Sequence, residues 1–182
     1  MATTDTTTAQ IWQGLERFLI EFSQPKVADD GRHIIPGFVN DETLPVGDNE
    51  FIVYSPISAR RHGTTIEKWM PSGDQIGWQE YHELIVQVDC YSLSPVKALS
   101  RAQSFERCIR TEAAVRFLEQ YQLAPLYADD PRNLTGLMDG KYVPRWSLDL
   151  HFGYWGSSET LMKYFNSAEV DLINVDSRFP PN

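Results

Sequence analysis

The first third of the chain opens with apolar residues at helical spacing. They recur every three or four positions, as on one face of an α-helix, and Pro25 follows shortly after the last of them. The pattern predicts an amphipathic helix over residues 9–22. Its apolar positions are Ile11, Leu15, Phe18, Leu19 and Phe22.

Two later segments alternate between apolar and polar residues instead, which is typical of strands with one buried face. In residues 78–91, the predicted buried side is Leu84, Val86, Val88 and Cys90, and the polar side is Glu83, Gln87 and Asp89. In residues 142–155, the predicted buried side is Val143, Trp146, Leu148, Leu150, Phe152 and Tyr154, and the other side is Arg145, Ser147, Asp149 and His151.

Shorter segments rich in β-branched and aromatic residues predict further strands at residues 51–58, 64–69 and 170–176. Turn-forming residues fill positions 71–77 and predict a hairpin tip there. Pro56 favours an edge position or a kink in the first of these strands.

The longest helical pattern covers residues 94–121, where Ser94 can cap the helix and Pro95 suits its first position. A break near Thr111 is compatible with the pattern but not required by it. The predicted apolar stripe is Ala98, Ala102, Phe105, Ile109, Ala113 and Phe117. The predicted charged face is Arg101, Glu106, Arg110 and Glu119.

Helices that separate antiparallel-type strands indicate an α+β fold. We expect a single domain: a mostly antiparallel β-sheet with an N-terminal helix and a long central helix packed on one face. Residues 1–8 are polar and Thr-rich and are expected to form a flexible N-terminus, and residues 9–182 the domain. The chain has no internal repeat and no low-complexity linker.

Composition narrows the function classes. The apolar fraction of 42% is that of a globular protein, and no apolar run approaches the roughly 20 residues of a membrane span. The net charge of −9 argues against a protein that grips DNA, although it suits a ring that lets DNA pass. Cys90 and Cys108 are expected to be buried free thiols, which fits a reducing compartment.

Candidate chemistry is weak throughout the chain. The four histidines, which are His33, His62, His82 and His151, lack the spacing of a metal motif, and we expect His82 and His151 to face solvent on the sheet. The adjacent Asp129 and Asp130 before Pro131 predict a turn in preference to a catalytic pair. The run Arg60-Arg61-His62 is too short for a nucleic-acid patch and is expected to be a solvated hairpin.

Several segments, in this order, resemble the phage neck or tail terminator family with its neck terminator domain. They are Ser55-Pro56-Ile57 with Arg61 and Gly63-Thr64, then residues 84–91, then Ala102, Phe105 and Arg110 on a helix, then residues 125–132, 142–146 and 170–176. The resemblance extends over residues 51–181, and the order of the segments is more specific than any one of them.

The resemblance implies a non-enzymatic virion protein without cofactor or metal, in which a homohexameric ring caps the tail tube and joins it to the head connector. Its partners would be other copies of the chain, the tail tube protein and the connector or adaptor, with DNA passing through the lumen. The protein would be assembled in the host cytoplasm and end in the virion neck. As contact elements we expect Tyr127, Asp129, Asp130, Arg132, Arg145 and Trp146.

Two other interpretations stay open at this point. The first is a tail-completion or connector protein elsewhere in the neck. The second, of a different class, is a small metal-dependent hydrolase that uses histidine and aspartate residues.

Overall fold

A computed structural model describes most of the chain. The described residues are 6–28, 32–37, 50–69, 75–138 and 141–161. The strand predicted at residues 170–176 and most of the predicted hairpin tip lie outside them.

Three helices and eight strands alternate along the described chain. The helices are α1 (Thr6–Phe22), α2 (Pro95–Cys108) and α3 (Glu112–Glu119). The strands are β1 (Ile34–Pro36), β2 (Phe51–Trp69), β3 (Gln75–Tyr91), β4 (Ala124–Ala128), β5 (Arg132–Asn133), β6 (Gly136–Met138), β7 (Lys141–Val143) and β8 (Arg145–Leu161). Helix α1 therefore begins three residues before the predicted start of the domain.

The main sheet is mostly antiparallel. Its order is β1-β2-β3-β8-β4, with β5 also pairing with β8, while β6 and β7 form a separate ribbon. Among the described strands, β1 alone runs parallel to its neighbour, β2. The α+β fold class and the antiparallel sheet predicted from the sequence are confirmed.

The register of β3 and β8 confirms the predicted buried faces except at Val143, which lies in β7 and is half-buried. Leu84, Val86 and Val88 lie directly opposite Phe152, Leu150 and Leu148. Opposed residues of an antiparallel pair project to the same side of the sheet, so these six side chains form one apolar surface. Each of them is at most 6% exposed.

The helices cover this apolar surface and leave the opposite face of the sheet without a helix in the described part of the chain. Phe18 of α1 is fully buried and meets Phe105 of α2 and Phe152 of β8, with ring centroids 6.1 Å and 6.2 Å away. Aromatic pairs at this spacing add to the hydrophobic stabilisation of the core. We call the uncovered side of the sheet the open face.

The predicted long central helix is wrong in detail, because the structure contains two helices there. Thr111 ends the first one, as its backbone N–H and its hydroxyl both donate to the carbonyl of Cys108, at 2.8 Å and 2.7 Å. The same residue then caps α3: its backbone is extended and its hydroxyl accepts from the N–H of Ala114 at 3.3 Å. Threonine is a preferred capping residue because its side chain replaces a missing backbone partner.

The break also changes which residues of the second helix are buried. Ala98, Ala102, Phe105 and Ile109 are at most 1% exposed, as predicted. In α3, however, Ala114 and Leu118 are buried, whereas the predicted Ala113 is exposed and Phe117 is half-buried. The non-helical residues between the helices shift the phase of the stripe by one position.

Arg101 is a second correction, since the pattern placed it on the charged, solvent-facing side of the helix. Its side chain is fully buried. Its guanidinium donates to the carbonyl oxygens of Pro25 and Tyr91, at 3.0 Å and 3.1 Å, and to the carboxylate of Glu50 at 3.2 Å. A buried cation is tolerated when its donors are satisfied in this way.

Strands β2, β3 and β8 continue well beyond the helices. From Pro56 to Glu67 nearly every residue of β2 is exposed, and these strands stay paired to Trp69, Gln75 and Leu161 at the far end. At roughly 3.3 Å per residue this extension measures on the order of 30–40 Å. We call the extension the arm, defined as residues 57–69, 75–83 and 154–161, and the part under the helices the base.

Candidate functional site

The predicted acidic turn lies along the middle of β8, on the side of β4. The N–H of Asp129 donates to the carbonyl of Asp149 at 2.9 Å. Arg132 donates from its guanidinium to the carboxylate of Asp149 at 2.7 Å. Both ends of this segment are thus anchored to one residue of β8, while Asp130 between them is exposed. The predicted turn is wrong, because β4 and β5 pair with β8 in the same direction, and Asp129 and Asp130 lie in a short irregular stretch between them.

Tyr127 leads into a row of polar side chains on the open face. Its ring stacks on the imidazole of His151, with centroids 4.0 Å apart and planes 16° apart. Nδ1 of His151 lies 2.8 Å from Oε1 of Glu83, and Nε2 of His62 lies 2.7 Å from Oε2 of the same carboxylate. Asp129 is 3.8 Å from Nε2 of His151. We call His62, Glu83, His151 and Asp129 the polar row.

Glu83 is the centre of this row. The hydrogen bonds from His151 and then from His62 hold the pKa of its carboxyl below the usual value of 4.5. Burial, followed by the neighbouring carboxylates of Glu83 and Asp129, raises the pKa of Tyr127. The sequence identified Glu83 only as a polar-face residue. Its position became visible once the register placed it on the same face as His151.

Arg145 and Trp146 are adjacent in the chain but project to opposite faces of β8. Arg145 lies on the open face, where its guanidinium donates to Asp89 at 2.8 Å and lies 5.6 Å from the centre of the Tyr91 ring. Trp146 is half-buried against the apolar core, and its backbone pairs with β5 at Asn133. The structure thus brings Tyr127, Asp129 and Arg132 together along β8, and separates Trp146 from them.

The open face is more buried than its polar sequence indicated. Asp89, Ser147 and His151 were expected to face solvent, yet they are 4%, 0% and 7% exposed. Within the described chain, buried side-chain atoms without a hydrogen-bond partner all occur on this face. They are Asp89 Oδ1, Arg145 Nε, Ser147 Oγ, Asp149 Oδ1 and His151 Nε2. Unsatisfied polar atoms at this density distinguish the centre of the open face from an ordinary solvated surface.

The two sheet histidines lie on opposite faces. His82 projects to the helix side, where it stacks on Tyr154 with centroids 5.1 Å apart, while His151 belongs to the open face. Among the described residues, no group of three or more histidine, cysteine, aspartate or glutamate side chains could hold a metal ion. The arrangement is therefore a set of hydrogen-bonded pairs.

The basic run on β2 is largely paired within its own sheet. Arg61 lies 3.2 Å from Glu80, and His62 is bound to Glu83. Arg60 is exposed next to them. Two of the three side chains are paired with glutamates of β3, so the run differs from a patch that would collect phosphates.

A cleft of about 330 Å³ lies between α1 and the root of the arm. It is lined by apolar side chains such as Trp12, Ile57 and Leu84 and includes none of the polar row. The acid–base groups of the polar row therefore do not line this cleft. In the described part of the chain no helix is both long and apolar enough to cross a membrane.

Comparison with known protein families identifies the relatives of this chain. The family model described as phage neck terminator protein matches residues 9–179. The chain belongs to this family. No curated protein matches the chain.

Membership in this family indicates in what kind of protein the open face and the arm occur. The family consists of structural proteins of the bacteriophage neck, so the chain is a structural virion component located there. Paired polar residues on a sheet face that none of the described helices covers fit a protein that works by contact with other proteins.

Proposed function

We propose that the protein is the tail terminator, a homohexameric ring that caps the tail tube and joins the tail to the head connector. The observation that carries the proposal is the family match over residues 9–179, which includes the arm and the open face. Its partners are further copies of the chain, the tail tube protein and the connector or adaptor protein. Assembly takes place in the host cytoplasm.

A closed ring requires two different surfaces on each copy, one for each neighbour. The described sheet offers unlike sides, with β1 and β2 at one edge and β4 with the acidic residues Asp129 and Asp130 at the other. Of the six predicted contact residues, Asp129, Asp130 and Arg132 are exposed at the second edge. We propose these three residues as contacts with the neighbouring copy. Tyr127 and Arg145 form the surface behind them, and Trp146 supports that surface from the core side.

The net charge of −9 suits the passage of DNA through such a ring. An acidic lumen repels the phosphate backbone and so does not retain the strand. DNA therefore passes without specific binding.

The decisive experiment is to image phage particles made without this protein, and to measure the mass of the purified protein alone and with tail tubes. We expect overlong or unjoined tails in the mutant lysate and a hexamer on the tube end. Tails of normal length joined to heads in its absence would refute the proposal. A monomer in dilute solution is compatible with it, because a ring can need the tube as its template.

Imaging also separates the alternative neck location. Density for the chain at the terminal ring of the tube supports the terminator assignment. Density elsewhere in the neck indicates a tail-completion or connector protein instead.

A further inference from the structure

Along the arm, two strand edges have no neighbour among the strands that the structure describes. On the outer side of β2, pairing with β1 ends at Pro36 opposite Tyr54. On the outer side of β8, pairing with β4 ends at Ala124 opposite Gly153. Beyond these points, at residues 57–69 and 154–161, no described strand lies beside either edge. Each edge therefore presents a row of backbone donors and acceptors to which another strand can bind.

The direction of the two edges restricts how copies can join. Both β2 and β8 are antiparallel to β3, so they run parallel to each other. If β2 of one copy pairs with β8 of the next, the arms point the same way, as rotation about a ring axis requires. If β2 pairs with β2, the copies are related by a two-fold axis and the contact closes as a dimer.

The charges at the edges favour the first arrangement. Residues 58–62 of β2 carry the exposed Arg60 and Arg61, of which Arg61 is already paired with Glu80 of β3. Residues 154–161 of β8 contain no basic residue and one acidic residue, Glu159. Pairing of β2 with β2 would bring the arginines of two copies together. Pairing of β2 with β8 brings the basic edge of one copy to an edge without positive charge in the next. Like-charge juxtaposition of this kind selects between partners.

Trp155 strengthens the match. It is 52% exposed and lies on the open face of β8, since it pairs with Tyr81, which in turn pairs with His62 of β2. Arg60 projects to the same face because it pairs with Glu83. In a sheet continued from copy to copy, the guanidinium of Arg60 can reach the Trp155 ring of the neighbour, which is a favourable cation–π contact.

A β-bulge limits the length of the contact. The register of β2 shifts between His62 and Ile66, and Gly63 has φ of 79°, a conformation that favours glycine. Bulges bend a strand and end regular pairing. The bulge divides the edge of β2 into two regular parts, residues 58–62 and 66–69. Pairing the first part with β8 from residue 154 onward requires a stagger. A stagger between strands is what closing a tilted sheet into a ring demands.

We propose that residues 58–62 of β2 add in parallel to the free edge of β8, beginning at residue 154, in the next copy of this chain. The arms then form a continuous sheet around the ring. This inference rests on the ring of the proposed function, and it names the surface through which neighbouring copies join.

Cross-linking tests the pairing. Ser58 and Ser157 are exposed and lie on the open face of the two edges, so Ser58→Cys and Ser157→Cys are small changes. A short bismaleimide is applied to the full-length double variant, both as concentrated purified protein and in intact particles. We expect a ladder of covalent oligomers that ends at the ring. A mixture of the two single variants should give dimers and no larger species.

Controls decide between the arrangements. Each single variant alone should give no adduct, and dimers from Ser58→Cys alone or from Ser157→Cys alone would overturn the proposal in favour of two-fold pairing. The pair Leu93→Cys with Ser157→Cys, which places one thiol at the exposed position before α2, should give no ladder. A ring of normal mass without a ladder in either setting overturns the edge pairing and leaves the proposed function intact. A chain absent from the tail end refutes the proposed function itself.

Charge reversal tests the chemistry of the contact. Arg60→Glu should raise the concentration needed for ring assembly by about tenfold or more, whereas the reversal Arg107→Glu on the exposed side of α2 should leave it unchanged. Equal effects of the two substitutions would contradict the assignment. The monomer of each variant should unfold at the same urea concentration as the parent, which separates a lost contact from a lost fold.

Discussion

The base and the arm are built from the same three strands but are stabilised differently. In the base, one face of β3 and β8 is covered by helices, and Val86, Val88 and Leu148 are at most 1% exposed. In the arm, β2 is exposed on both faces, and the described cross-strand contacts combine polar pairs, such as Arg61 with Glu80, with aromatic pairs, such as Tyr81 with Trp155.

This difference between base and arm shows which interactions stabilise each half. Burial of apolar surface contributes about 25 cal/mol per Å² and dominates in the base. Exposed ion pairs contribute about 0–1 kcal/mol each, so the pairs of the arm set its register more than its stability. The arm continues the strands of the base, and no described strand occupies its edges, which we propose contribute to assembly.

The largest expected effect comes from truncating one aromatic residue in each half. Phe152 is fully buried in the base, and Trp155, three residues later on the same strand, is 52% exposed in the arm. We expect Phe152→Ala to lower the free energy of unfolding by about 3–5 kcal/mol. Trp155→Ala should lower it by less than about 1 kcal/mol in the monomer. Urea unfolding followed by circular dichroism measures both, and equal losses would show that the arm has a core of its own.

The next effect concerns the buried cation of the base. Arg101→Ala removes hydrogen bonds to Pro25, Tyr91 and Glu50 and leaves two carbonyl groups without their donor. We expect a loss of about 2–4 kcal/mol in the same urea experiment.

Lys97 supplies the control for this substitution. It binds the same carboxylate of Glu50 at 2.7 Å, but its side chain is 54% exposed. Lys97→Ala should cost less than about 1 kcal/mol. A Lys97 effect as large as that of Arg101 would mean that the charge of Glu50, and not the buried donors, is what matters.

We expect a smaller loss of stability at low pH, from protonation of a carboxyl group where the base meets the arm. The carboxyl of Glu83 has a lowered pKa because of its hydrogen bonds to His151 and His62. A group with a lowered pKa in the folded state stabilises the protein above its unfolded pKa, here near 4.5, and this contribution is lost as the pH falls through the folded value.

Glu83→Gln tests this assignment. Thermal melts at about pH 6 and about pH 3.5 should differ less for the variant than for the parent, because the variant has no proton to take up at this position. Identical pH dependence in the two proteins would show that the polar row does not contribute to acid sensitivity.

The smallest expected effect is chemical and leaves stability unchanged. Both cysteines are free, Cys90 buried and Cys108 half-buried. Burial raises the pKa of Cys90 to about 12 and that of Cys108 to about 11. Since the thiolate is the reactive form, neither thiol should react with a disulfide reagent at neutral pH in the folded protein. Reaction of the urea-unfolded protein with the same reagent should show two thiols. Rapid reaction of Cys90 in the native protein would contradict the packing of the base.

Periodicity predicted the base well. The apolar residues of β3 and β8 are themselves what drives one side of each strand into the core. Their alternation along the sequence therefore identified Leu84, Val86, Leu148 and Leu150 correctly as buried. The helix at the start of the chain followed from its apolar stripe in the same way, to within three residues. The free thiol of Cys90 was likewise correctly placed in the core.

Long-range contacts account for the errors. Arg101 has the polarity of a surface residue, and only partners 51 and 76 positions away make its burial possible. His151 is buried because Tyr127 stacks on it. The break at Thr111 had a local signal, a capping threonine, but the apolar stripe continued through it and favoured one helix. The length of the arm could not be predicted from the sequence, because hydrophobic periodicity does not show where along the sheet the helices end.

The position of β8 has a consequence for how the protein emerges during synthesis. This strand lies between β3 and β4 in the sheet, although both precede it in the chain. While the ribosome is still translating residues before Arg145, β3 and β4 have no common neighbour, and the apolar side chains beneath α2 are open to water. Such unpaired, partly apolar strand edges are where nascent chains associate wrongly. Completion of the core therefore waits for the last strand described here, so chaperone contact is expected to be longest just before β8 is released.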